Sequence, residues 1–318
     1  MTDPSAALPA GATALVTGGA GFIGSHLVTA LLARGLTVRL LDDLSSGRRE
    51  NLAHLDEATR AARLVWLDGD ARDAADCARG CTGADFVFHL AAMVSVERSL
   101  AAPAECFARN AQGSAQIFAA AAAAGCRRVV NVSSSAVYGD AVAVPSREGS
   151  EGRVLSPYAA SKGAAELLAQ ALRRSTGQEI VSLRFFNVYG PRQDPDGPYA
   201  AVIPRFLAAA RAGRACTLFG DGLQTRDFVH VEDAVQACLL AAVAPAEACG
   251  EAFNVCSGQA LSIAEIAERV RALHGGPAAV HAAARDGEIR NSTGDPTRAA
   301  EVLGFRAQVP LDQGLAGL

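Results

Sequence analysis

The stretch VTGGAGFIGSH (16–26) constrains the architecture more than any other. An apolar run, ATALVTG (12–18), leads into it, and a helix-length segment, Ile23–Arg34, leaves it. Between them Gly18, Gly21 and Gly24 permit a tight turn, close backbone approach to a pyrophosphate, and close packing of helix on strand. The helix amino end, with Phe22 and Ile23 in its first turn, offers free N–H donors and a partial positive charge to an anion. Glycines also occur in plain loops, so the turn takes its meaning from its flanks. Asp42 lies 18 residues beyond Gly24, at the end of the next apolar run. A carboxylate there accepts hydrogen bonds from ribose hydroxyls and repels a 2′-phosphate, which predicts NAD rather than NADP. Asp70, in DGDARD (68–73), closes a third run and is placed to meet the adenine edge.

Further apolar runs at 36–42, 63–69, 85–91, 127–133 and 179–185 read as strands. The helix-length segments Pro103–Ala124 and Pro157–Ser175 lie among them. That alternation implies crossover units and a parallel sheet buried on both faces, a doubly wound α/β fold of Rossmann type. After Gly190 the loop PRQDPDGPY (191–199) breaks the rhythm. Two helices follow, FVHVEDAVQACLLAA and SIAEIAERVRALH, the second opening on a capping box of Ser262 and Glu265. We therefore expect a dinucleotide domain from 1–185 plus about 223–250, and a smaller α/β substrate lobe from about 186–222 plus 251–318. The chain stops soon after PLDQGLAGL, so the last helix is expected to be short or missing.

The net charge of −4 gives no basic footprint for nucleic acid, and no run of about 18 apolar residues is present to span a membrane. The first dozen residues, MTDPSAALPAGA, lack the basic start and apolar core of a signal peptide. Eight cysteines are scattered with no CxxC and no Cys/His cluster. That pattern predicts reduced, buried thiols in a cytoplasm and no metal site.

In LSPYAASKGAAE (155–166), Ser156 is a good helix cap and Pro157 suits the first helical position. Tyr158 and Lys162 then share one helix face, one turn apart. A phenol is a poor base at neutral pH, but a nearby ammonium and an oxidised nicotinamide, both cationic, would favour the phenolate. Taken alone, the pair is as well explained by a packed tyrosine beside a solvated lysine. The run VNVSSSAVYGD (130–140) changes that balance by ending a strand on three serines.

With TGGAGFIG, HLAA (89–92), Asn110 in NAQG, SSSAVYG, YAASK, LRFFNVYGPRQ and GDGLQTRDFVHVED, the sequence resembles the extended short-chain dehydrogenase/reductases, NAD-dependent sugar-nucleotide epimerases and dehydratases. The motifs follow the family's order over nearly the whole chain. The resemblance implies catalysis by Ser134, Tyr158 and Lys162, with Ser134 selected as the residue four before the tyrosine of the YG pair. It adds cofactor contacts at Asp43, Ser45, Ser46 and Gly47, at Ala71, and at Leu90, Ala91 and Ala92. Asn110, Ser133 and Phe185 join these, as do Tyr158 and Lys162 themselves. It implies substrate contacts from Ser95, Ser134 and Ser135 near the sugar, and Asn187 near sugar and phosphates. Ala201 and Val202, in PYAAVIPRF, resemble the acetylated-sugar epimerases, Thr217 is a further substrate contact, and Phe219 would lie along the uracil. Arg226 and Arg285 fall on the diphosphate, Glu288 on the ribose, and Ser292 where glucose-restricted epimerases carry a bulky tyrosine.

Family members that eliminate water carry an Asp-Glu pair where this chain has Ser134 and Ser135. The resemblance therefore implies 4-epimerisation of a UDP-sugar, UDP-GlcNAc/GalNAc and/or UDP-Glc/Gal, through a 4-keto intermediate with NAD retained. Val94 departs from the lysine of many glucose epimerases, with Ser95 as a substitute contact. Alternatives within the family are a UDP-glucuronate 4-epimerase, a dehydratase or a keto-sugar reductase; outside enzymes, a non-catalytic dinucleotide-binding protein. The family also pairs its two small-residue helices across a two-fold axis, which implies a homodimer through a four-helix bundle.

Overall fold

The computed structural model describes residues 8–141, 143–195, 201–284 and 289–318. All six expected runs become strands: β1 (Thr13–Thr17), β2 (Thr37–Asp42), β3 (Leu64–Asp68), β4 (Phe86–His89), β5 (Arg128–Ser134) and β6 (Ile180–Phe185). A seventh, β11 (Ala252–Val255), pairs in parallel with β6. The order across the sheet is β3-β2-β1-β4-β5-β6-β11, with every pairing parallel. Consecutive strand residues explain why these runs are apolar throughout. Val16, Leu40 and Phe88 enter one core with α1 (Phe22–Ala33) and α9 (Val231–Ala242). Their neighbours Leu15, Leu41 and Val87 enter the other, with α3 (Ala74–Cys81), α6 (Gly113–Ala123) and α7 (Pro157–Thr176). A sheet covered on both faces has no polar side, and its strands lose the alternation of a half-buried one. This is the Rossmann-type arrangement.

β11 also moves a boundary. The sequence reading assigns 251–318 to the smaller lobe, yet Ala252–Val255 lies in the main sheet because it forms the parallel ladder with Ser182–Phe185. The remaining elements are short. They are α2 (Glu57–Arg63), α4 (Val96–Ala101), α5 (Pro103–Phe107), α8 (Val202–Arg211), α10 (Ile263–His274), α11 (Thr297–Val302) and the six-residue α12 (Leu311–Ala316). Their strands are β7 (Asn187–Tyr189) beside β10 (Phe228–His230), β8 (Thr217–Phe219) beside β13 (Val280–Ala282), and β9 (Thr225–Arg226) between β12 (Leu261–Ser262) and β14 (Asn291–Ser292). A third core, with Ile203, Phe206, Leu207, Ile266 and Val270, holds α8 against α10. No helix among the described residues is long and apolar enough to cross a membrane.

Helix ends follow their sequence signals. Ser156 accepts from the Ala159 N–H and Pro157 opens α7, which ends on the left-handed Gly177. Ser262 and Glu265 form the expected capping box of α10. The segment 103–124 is not one helix, however. A π turn at Ala108–Gln112 interrupts it. Its centre, Asn110, is 1% exposed and spends its amide on Met93 and Ser161, contacts that a regular α-helix would turn elsewhere.

Candidate active site

The glycine turn is built as its spacing demands. Gly18 has φ +68°, and a Cβ there would lie 2.8 Å from the Ala91 nitrogen. A Cβ on Gly24 would lie 2.1 Å from the Gly18 carbonyl oxygen, so only glycine lets α1 start this close to β1. No side chain caps α1 at Gly21, and its first-turn N–H groups face the cradle. The Asp42 carboxylate accepts from Ala20 N (2.9 Å) and Leu44 N (2.8 Å), which fixes it at the carboxyl end of β2. Burial raises its pKa against those two hydrogen bonds. A cavity of about 50 Å3 beside it is lined by Asp42, Asp43, Ser45, Ser46, Asp70, Ala71, Ala91 and Ala92, with Gly69, Leu41 and Arg109. Gly47 backs this wall, where a Cβ would press on Asp42 at 2.8 Å. Leu90 donates its N–H to Thr17. These residues fit a dinucleotide with an unphosphorylated adenosine ribose.

The residues expected to react lie at the carboxyl ends of β5 and β6. Ser134 pairs with Phe185 at the last rung of the ladder between these strands, and Asn187 follows two residues later. Tyr158 is 7% exposed; burial raises the pKa of its phenol, and a hydrogen bond with the Ser134 hydroxyl opposes that rise. Ser134 also caps the short turn Ser135–Tyr138 by accepting from Ala136 N. Lys162 donates from Nζ to the Val132 carbonyl at 2.7 Å. Burial pushes its pKa down from 10.5 to about 8, opposed by the nearby Cys106 and Glu166. The two side chains share a face; Lys162 reaches the end of β5, and the Ser134 hydroxyl is the nearby group that favours the phenolate against burial.

Three expected cofactor contacts have other work for their side chains. Asn110 accepts at Oδ1 from Met93 N (2.7 Å) and donates from Nδ2 to Met93 O (3.0 Å) and Ser161 Oγ (2.9 Å), so it ties α7 to the loop after β4. Ser133 donates its hydroxyl to Glu166, and the ring of Phe185 belongs to the main core. Glu166, one turn beyond Lys162, also receives Arg184 from β6, at 3.0 Å from Nε and 2.7 Å from Nη2. Arg184 is buried and bonds Glu151 as well. Sequence reasoning passed over Glu166 although it stands inside the YAASKGAAE helix, because its partners are 18 and 33 residues away. His89, too, proves to be internal wiring. Ser114 Oγ donates to Asn110 O (2.6 Å), so Nε2 of His89 must donate to Ser114 (3.0 Å), and Nδ1 accepts from Thr17 (2.8 Å). Burial, with the Lys162 charge, lowers its pKa to about 3, so it is neutral.

A larger cavity of about 510 Å3 opens in the second lobe. Asn187, Ala201, Val202, Thr217, Phe219 and Arg226 all line it. Asn187 donates to Asp227 O (2.9 Å). Asp227 is wholly buried and accepts from Ser257, Gly258 and Gly294, so it ties three chain segments behind the cavity. Ser292 does not line the cavity but is the cross-strand neighbour of Arg226. Ser95 caps α4 through Arg98 N (3.0 Å), Val94 beside it is exposed, and Ser135 opens the turn after β5. Arg285 and Glu288 lie outside the described residues.

A phosphate turn, a Ser/Tyr/Lys group at the next strand ends and a separate polar cavity define a dinucleotide-dependent enzyme acting on a second ligand. Residues 14–256 match the NAD dependent epimerase/dehydratase family, and the chain belongs to it, with NAD as its cofactor. It is 42% identical to a UDP-glucose 4-epimerase of Mycolicibacterium smegmatis, over 95% of this chain and 96% of that one. A dTDP-glucose 4,6-dehydratase of an Actinoplanes species is 34% identical, over 95% of each chain. Among solved structures, the UDP-N-acetylglucosamine 4-epimerase from Methanobrevibacter ruminantium, in complex with UDP-N-acetylmuramic acid, has a TM-score of 0.91. That match is 34% identical and covers 97% of both chains.

Proposed function

We propose that the protein is a UDP-sugar 4-epimerase that interconverts UDP-GlcNAc with UDP-GalNAc and also takes UDP-Glc/Gal. The observation that carries this reading is the company of the Tyr158 phenol. The ring packs with Met93, Cys106 and Ala136, and the adjoining end of β5 carries the hydroxyls of Ser134 and Ser135 where water-eliminating members carry carboxylates. The nearest acid on the same helix, Glu166, is committed to Arg184 and Ser133. Elimination of water needs a separate acid and base at the sugar's C5–C6, and serines cannot supply them. Oxidation and reduction at C4 need one proton carrier and one oxygen holder.

In this reading the large cavity takes the nucleotide, Arg226 faces its diphosphate, and Asn187 stands between cavity and strand ends. Ser134 holds the 4-hydroxyl oxygen. Tyr158, whose ionisation burial opposes and the cationic nicotinamide and the Lys162 charge would favour, accepts that hydroxyl's proton as the C4 ketone forms and returns it when the alcohol is restored. Lys162, still largely cationic below about pH 8, supplies the positive charge at the strand end. NAD, when bound, supplies the acceptor and donor of the C4 hydride, so the cycle closes with no net redox change. Inversion follows if the ketone presents its opposite face before reduction.

The purified protein should convert UDP-GlcNAc and UDP-glucose into their 4-epimers, read by NMR, without consuming added NAD. A 4-keto-6-deoxy product would instead establish the dehydratase reading. Ser292, small where glucose-restricted members are bulky and cross-strand from the cavity residue Arg226, is proposed to leave room beside that cavity for the acetamido group. Ser292→Tyr should then depress turnover of the acetylated substrate at least about tenfold more than that of UDP-glucose; equal losses would reject the gate. The enzyme is further proposed to be a homodimer. α4 and α5 pack on α7, and Val96, Leu100, Phe107 and Leu167 leave large apolar side chains exposed there.

A further inference from the structure

Arg109 plays no part in the chemistry above and belongs to none of the expected contacts. It stands beside Asn110 on the π turn, and the two side chains go separate ways. Asn110 turns inward to the catalytic helix, whereas Arg109 reaches to the loop after β2. Its Nη1 donates to Asp43 Oδ2 (2.9 Å) and Ser45 Oγ (3.1 Å), and its Nε donates to Glu105 Oε1 (2.9 Å). The other oxygen of Asp43 is held by the Ser45 N–H and hydroxyl, so the loop after β2 closes into the same clamp. The Arg109 side chain is only 20% exposed. With Ala71, Ala91 and Ala92 it lines the small cavity beside Asp42.

Each feature suits a flat aromatic ring. Three alanines leave space and contribute no polar group that would orient a base. A guanidinium fixed at two edges by carboxylates is a planar, weakly hydrated surface that stacks well on a π face. An ion pair made only for stability would be weak at a partly exposed position and would not need to border the dinucleotide cavity.

We propose that Arg109 is an adenosine-binding residue of the NAD site, covering the adenine ring against the alanine wall and, through Asp43, keeping the loop after β2 closed on it. The proposal rests on the family's use of NAD and not on the epimerase reading. Its test is the dissociation of isotopically labelled NAD from the loaded protein, with ADP-ribose affinity measured in parallel and no sugar nucleotide present. Arg109→Ala should release NAD about tenfold faster and bind ADP-ribose more weakly by the same factor. Arg109→Lys, which keeps the charge and loses the plane, should recover little of either. Release within twofold of wild type, or full recovery by lysine, would overturn the proposal. Should the alanine variant fail to fold, Arg109→Met, which keeps the aliphatic stem, decides by the same measurement. A wild-type protein that holds no NAD would remove cofactor and proposal together, whereas absent epimerase activity would leave the result readable.

Discussion

Tyr158→Phe deletes one oxygen from a buried ring and leaves its packing in place, so it separates chemistry from folding. Turnover should fall by about 10²- to 10⁴-fold while NAD content and melting temperature stay near wild type. Lys162 offers a prediction with a definite sign. Its folded pKa lies near 8, below its ordinary 10.5, so the unfolded chain binds more protons between those values. This group's contribution to stability therefore rises with pH across that window, and Lys162→Met should flatten the rise in urea titrations. The Glu166 carboxylate favours the ammonium, so Glu166→Gln should lower the Lys162 pKa below about 8, as read by NMR. The same variant deprives the buried Arg184 of a partner and should cost about 3 kcal/mol in denaturant unfolding. Tyr158, Lys162 and Ser134 were legible because each sits in a short motif with a chemical reason for its residue types. Glu166, Arg109 and the positioning role of Asn110 were not, because the partners that define them stand 17 to 66 residues away, and the one local contact, Arg109 with Glu105, reads as an ordinary i,i+4 helix pair.

Elements were legible where packing demanded one answer. Uninterrupted apolar runs bounded by turns gave six strands, and capping residues gave the starts of α7 and α10. The glycine turn is equally constrained, and it is testable. Gly24→Ala would set a Cβ 2.1 Å from the Gly18 carbonyl oxygen, so helix and strand must separate. It should destabilise the fold by about 1–3 kcal/mol and abolish NAD retention in the purified protein. The π turn at Ala108–Gln112 escaped the sequence reading for a different reason. Alanine suits either face of a helix and marks no apolar stripe, so an inserted residue leaves no mark in the periodicity.

At the scale of the whole molecule, the proposed dimer would cover the apolar ridge on α4, α5 and α7. Leu100→Glu with Leu167→Glu should shift micromolar protein toward monomer in sedimentation, with the secondary structure intact by circular dichroism; a wild-type protein that is already monomeric would remove the proposal. The fold class was plain from the alternation of strands and helices. The lobe boundary was less so, because Ala252–Val255 is short and lies 67 residues beyond β6, the strand it joins. Nothing in its own composition says which sheet it enters.

That late strand makes the two halves hard to trade. A chimera that imports another enzyme's sugar-recognition half as a single cassette would either bring a foreign edge strand to this sheet or leave β6 bare, inviting self-association. Grafts should succeed only when spliced on both sides of residues 252–255, so that the native edge is kept while everything around it is exchanged.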